Sequence, residues 1–197
     1  MSPGLPAVLG LAAAAFAGTN IDNGVVAVAM VAAAPPARAR RIALGQVLGF
    51  ILLVLAALGA AAVLFDIPTR VIGLLGLVPL GLGLRGLAGL RHPEERGRLA
   101  RRAVGSGVIA ALAVTIAAGG DNLAVYIPLF RVDHVVGTLE TLLVFAFCEL
   151  LLTLVILRAG RHPRVRAALT AFGVFATPLI YCAIGLLVLF EAGTLPS

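Results

Sequence analysis

A chain of 197 residues that is 61% hydrophobic and only 12% charged, with a mean hydropathy of +1.10, excludes an ordinary soluble domain, where about a quarter of residues are charged. The net charge of +6 rests on arginine, since the sequence has no lysine. These arginines sit in short breaks between apolar runs, with no basic helix face or aromatic platform, which argues against nucleic-acid binding.

The breaks divide the chain into six apolar segments, each near the ~20 residues that cross a bilayer. The first, 5–33, has no basic leader and is too long for the apolar core of a signal peptide, so it is expected to stay as a span. It carries Thr19, Asn20, Asp22 and Asn23, with Thr19 on the helix face of Asp22 and Asn23. After "PPARARR" (35–41) comes the second segment, 42–65, with Gln46. "DIPT" (66–69) leads to the glycine-rich third, 70–90, with Pro79. "RHPEERGRLARR" (91–102) precedes the fourth, 103–130, which holds Gly119, Gly120, Asp121, Asn122 and Tyr126. "RVDH" (131–134) opens the fifth, 135–158, with Glu149 and Thr153. "RHPRVR" (161–166) opens the sixth, 167–190, with Pro178.

Alternate breaks carry very different charge. The first, third and fifth, with their helix ends, hold 13 arginines, whereas the second and fourth hold only Arg70 and Arg131. The positive-inside rule then puts the arginine-rich breaks in the cytoplasm and both termini outside. The wealth of Ala, Gly, Pro and Arg fits a GC-rich bacterial genome, so a bacterial inner membrane is expected.

Asp22-Asn23 and Asp121-Asn122 are 99 residues apart, and the same offset carries Pro79-Leu80 onto Pro178-Leu179 without a gap. A three-helix repeat explains both matches. Because three is odd, the second copy enters the bilayer from the opposite side. The expected fold is an all-α membrane protein of a single transmembrane domain (1–197), with six transmembrane helices as two inverted three-helix repeats, about 5–90 and about 103–190. Secondary transporters are often built this way, with their site near the midplane.

An aspartate at mid-membrane costs ~2.5–3.5 kcal/mol even on a lenient scale. No Arg or His occupies the central turns of any segment. Protonation, a bound cation or a water-filled path would offset the charge, and all three belong to ion transport. A protonated aspartate acting as interhelical glue is the bland alternative. The expected donors are Asp22, Asp121, Asn122, Asn23 and Thr19, with Glu149 either completing the coordination, carrying a coupling proton or packing in a neutral interface. Asn20 and Gln46 are polar neighbours. Gly119 and Gly120 either loosen the helix before Asp121 or allow close packing, and Tyr126 either borders a gate or anchors at the interface. Cys148 and Cys182 read as small buried apolar residues. No cofactor or catalytic centre is expected, and without a Walker motif or any lysine the chain does not read as an ATPase. The partners are a divalent cation as substrate, protons and the lipid bilayer, and a homo-oligomer is compatible with the sequence.

At "GGDNLAVYIPLF" (119–130) the chain resembles the cadmium-resistance (CadD-type) transporters of the LysE-type exporter superfamily. "TNIDN" (19–23), "LGQVLGF" (44–50) and "IGLLGLVPLGLGLRGL" (72–87) extend the resemblance through the first four segments. It implies a six-helix exporter of cadmium or a similar divalent cation, with Asp22, Asp121 and Asn122 at its centre and Thr19 and Gln46 beside them. Where the family pattern has Cys or Asn, this chain has Ala118, which leaves manganese or zinc open. Export of a small organic cation or amino acid is the alternative within the superfamily.

Overall fold

Long runs of Ala, Leu and Val satisfy their backbone groups inside a bilayer only by forming helices or a closed barrel, and here they form helices. The computed structural model describes residues 5–68, 71, 73–89, 107–132, 135–159 and 162–192, with no strand among them. The helices are α1 (Leu5–Ala33), α2 (Pro36–Val63), α3 (Leu77–Leu87, preceded by a 3-10 turn at Leu74–Gly76), α4 (Val108–Ala118), α5 (Gly120–Val132), α6 (Val135–Ala159) and α7 (Pro163–Glu191). Expectations that rest on Arg70, on segment 91–102 and on Arg161 lie outside the described residues.

Among the described residues, Leu5–Ala33, Pro36–Asp66 and Val136–Arg158 are long and apolar enough to cross a membrane. Val108–Ala118 and Gly120–Arg131 make a fourth span if counted as one bent element, and Leu74–Leu87 and Ala176–Phe190 are shorter apolar helices. Three or four candidate spans are thus found among the described residues, against the six expected over the whole chain.

Three boundaries move for identifiable reasons. α2 and α7 begin at Pro36 and Pro163, several residues before the expected 42 and 167, because proline suits the first helical position, whose N–H has no intrahelical partner. Arg38, Arg40 and Arg41 thus sit on the exposed first turns of α2. Pro79 falls in the first turn of α3, which restarts after the 3-10 turn instead of running straight from residue 70. The expected continuous helix 103–130 is broken at Gly119, and its halves meet at 64°.

Small residues set the packing, as is common between membrane helices. A Cβ on Gly45 would run into the Val108 carbonyl oxygen, and one on Gly49 would fall 2.7 Å from Thr115 Cβ, so α2 lies directly on α4. A Cβ on Gly83 would fall 2.5 Å from Cys182 Sγ, so α3 lies equally close to α7. Phe16, Phe50, Phe130, Phe145 and Tyr126 form one aromatic cluster, tightest between Tyr126 and Phe145 at 4.7 Å. Ile51, Leu55, Leu143, Phe147 and Leu150 point outward, an apolar belt suited to lipid.

Candidate cation site

The break at Gly119 organises the centre. A Cβ on Gly119 would collide with Leu53 of α2, whereas one on Gly120 would meet nothing within 4 Å. Close packing and the break therefore coincide at the same glycine. Beyond it, Asp121 occupies the first turn of α5, where the positive end of the helix dipole favours a carboxylate. Its Oδ1 accepts the Asn122 backbone N–H at 3.0 Å, and its Oδ2 accepts the Tyr181 hydroxyl of α7 at 2.5 Å.

Beside it lies a buried network of Thr19, Asn20, Asn122 and Tyr126. The Thr19 hydroxyl donates to the Ala15 carbonyl at 2.9 Å, so the Tyr126 hydroxyl, 2.7 Å away, donates to Thr19. The Tyr126 oxygen accepts from Asn20 Nδ2 at 2.6 Å and Asn122 Nδ2 at 3.3 Å, while Asn122 Nδ2 also donates to Asn20 Oδ1 at 3.2 Å. Every donor in the set is used. The acceptor left over is Asn122 Oδ1, fully buried and without a partner. A buried carbonyl oxygen of this kind lacks a donor or a cation, and its chain neighbour Asp121 carries a carboxylate.

Asp22 is half-buried on α1, four residues after Gly18 and hence on its face. A Cβ on Gly18 would fall 3.5 Å from Tyr181 Cδ1. The ring whose hydroxyl holds Asp121 thus packs against the face that carries Asp22.

The other expected donors have surroundings of their own. Thr19 spends its hydroxyl on the backbone and on Tyr126, which makes it a support for the network. Asn23 is buried one turn past Thr19, where its unpartnered Nδ2 and the unpartnered Oε1 of Gln46 line a cavity of about 10 Å³ with Thr115 and Met30. Glu149 pairs with Gln46, whose Nε2 lies 3.5 Å from its Oε2. No group of three or more His, Cys, Asp or Glu side chains that could hold a metal occurs among the described residues. Tyr126 is wholly buried rather than interfacial. Cys148 and Cys182 are free thiols, and Cys182 packs on Gly83 as a small apolar residue would.

Tyr181 is the residue that sequence reasoning missed. The chain has only two tyrosines, and both place their hydroxyls in the polar centre. A tyrosine three residues past a mid-span proline, away from any interfacial belt, is the signal that was available.

Residues 16–197 match the family model described as Cad, cadmium resistance transporter. No curated protein and no solved structure matches the chain.

Proposed function

We propose a mechanism from one premise: the chain belongs to the cadmium resistance transporter family. It is a multi-pass membrane protein of a transporter family, not an enzyme. The reading offered is a secondary exporter that moves a divalent cation, cadmium by family, out of the cytoplasm in exchange for protons. The observation that carries it is the Asp121 carboxylate at a mid-span helix break, held by Tyr181 and set beside the orphan Asn122 Oδ1.

Asp22, Asp121 and Asn122 Oδ1 are the proposed ligands. Asn20, Thr19 and Tyr126 fix the Asn122 amide so that its oxygen faces away from the network. The cation binds while both carboxylates are ionised, the two halves rock about the site, and protonation on the outer side releases it. With the arginine-rich ends in the cytoplasm of a bacterial inner membrane, both termini lie outside.

Contacts at the 99-residue offset support two inverted three-helix repeats across six spans. Gln46 and Phe50 of α2 correspond to Phe145 and Glu149 of α6. A two-fold axis that brings Gln46 to Glu149 must also bring Phe145 to Phe50, and those rings lie 6.1 Å apart. Gly83 corresponds to Cys182, and these two equivalents touch each other, as residues on the axis must. The bent α4–α5 pair resembles the discontinuous helices that line transporter centres.

The proposed donors are all oxygens, which suit hard divalent cations at least as well as soft cadmium. That chemistry favours manganese or zinc as the second reading. A thermal-shift panel of cadmium, manganese and zinc on purified protein ranks the three. The test of the main reading is cadmium uptake into everted vesicles with an acid interior. Wild type accumulates the metal as long as the gradient lasts, and Asp121→Asn does not while still reaching the membrane. Uptake in wild type without any gradient would end the antiport reading, and uptake in Asp121→Asn would end the assignment of the site.

A further inference from the structure

Glu149 is a buried acid that the mechanism above leaves unused. It lies near the middle of α6 and is 5% exposed. Its hydrogen-bond partner is Gln46, at the outer limit of a hydrogen bond. Its other oxygen, Oε1, has no partner, and neither has the Thr153 hydroxyl one turn further on.

Among the described residues, no positive charge stands against it. α1 and α2 pack on α6, with a smaller contribution from α7. Their titratable or charged groups are Asp22 on α1; Arg38, Arg40 and Arg41 on the exposed first turns of α2; and Arg164, Arg166, Tyr181, Cys182 and Glu191 on α7. α6 itself adds Glu140, Cys148 and Arg158, the last nine residues away and so about 13 Å along the helix. Among those whose side chains are described, none bonds to Glu149. An unpaired carboxylate here would be expensive, and one carboxylate with one amide is far short of the six or more oxygens that hold a divalent ion such as calcium.

The surroundings open in two directions. Between α2 and α6 runs a groove of about 450 Å³ whose only polar lining residues are Glu149 and Thr153. Its rim residues Ile51, Leu55 and Leu150 are exposed and belong to the lipid-facing belt. On the inner side, Gln46 connects Glu149 to the cavity it shares with Asn23, which has about the room of one water. Asn23 is the chain neighbour of Asp22.

We propose that Glu149 is a second cation site, taking a single proton, separate from the aspartate pair and connected to it through Gln46 and Asn23. Its role as the carrier of the coupling proton rests on the antiport reading, whereas its existence as a protonated carboxyl at a lipid-facing groove does not.

The probe is dicyclohexylcarbodiimide, an apolar reagent that adds to protonated carboxyls, applied to the full chain in liposomes and mapped by mass spectrometry. The adduct is expected at Glu149, and its yield should fall about tenfold per pH unit above its midpoint, as a single titrating group requires. Glu149→Gln should abolish that adduct and gradient-driven cadmium uptake while leaving the cadmium-induced thermal shift in place. Glu149→Asp should restore part of the uptake. Absence of an adduct at Glu149 at acid and alkaline pH alike would overturn the site, a readout that needs no variant to fold. Loss of the cadmium shift in Glu149→Gln would overturn its separateness, and wild-type gradient dependence in that variant would overturn its role. If wild type takes up cadmium without any gradient, the antiport reading fails instead, and labelling at Glu149 is unaffected by that failure.

Discussion

Asp22 sits on a helix that runs unbroken for 29 residues, whereas the helix that carries Asp121 breaks at Gly119 and turns through 64°. The 99-residue offset places Asn20-Ile21 opposite Gly119-Gly120. Side chains at Asn20 and Ile21 accompany a continuous α1. Asn20 uses its amide to tie α1 to Tyr126 and Asn122. Glycine at the corresponding place lets Leu53 press into the backbone and leaves Asp121 at a fresh helix N-terminus. The same acid is thus offered by a rigid wall on one side and by a hinged element on the other. Under the proposed exporter reading, the continuous helix would hold the ion while the bent one moves, as in a hinge closure about a ligand.

Breaking the hinge should have the largest effect. Gly119→Ala drives a methyl into Leu53 and is expected to lower stability by about 1–3 kcal/mol, the usual cost of overpacking, with loss of transport. Gly120→Ala meets open space and should fold as well as wild type. Thermal melting of the two variants side by side checks the contrast, and equal behaviour would detach the break from its packing. A smaller effect is expected from Tyr181→Phe, which removes the hydroxyl held by Asp121. Cadmium affinity should fall by about tenfold, as when an outer partner of a metal ligand is lost, with the melting temperature of the metal-free protein little changed. The equivalent of Tyr181 is Leu82, so Leu82→Phe should leave affinity where it is. The smallest effect is expected outside the centre. Arg131 at the end of α5 donates to the carbonyls of Leu64, Phe65 and Ile67 at the end of α2, at 3.1, 2.6 and 3.0 Å, and lies over the Phe65 ring. Arg131→Ala should cost about 1 kcal/mol, the scale of a cation at a helix C-terminus, and leave metal affinity alone.

Hydropathy and composition made the helical membrane class legible, because a backbone in lipid has few ways to satisfy its polar groups. The Asp-Asn pairs were legible for a related reason: in a run as apolar as 103–130, a carboxylate and an amide stand out against every neighbour. The polar tie between Thr19 and Tyr126 joins residues 107 apart, and nothing in local spacing encodes such a contact. Tyr181 stayed hidden because a single tyrosine in an apolar segment fits packing as well as it fits a site. The helix starts at Pro36 and Pro163 were misread because a proline next to arginines looks like a loop until its place at the first helical position is considered. Gly119 carried two readings, a loosened helix and a close contact, and both apply, since the contact with Leu53 and the bend occur at the same residue.

The claim that the two aspartates serve one ion is tested most directly by equilibrium cadmium binding to purified full-length protein, in wild type, Asp22→Asn and Asp121→Asn. The expected result is one ion per chain in wild type, with affinity reduced by more than about a hundredfold in each single variant, beyond what loss of an outer partner would produce. Wild-type affinity in either variant, or two ions per chain of which each variant loses one, would contradict a shared site.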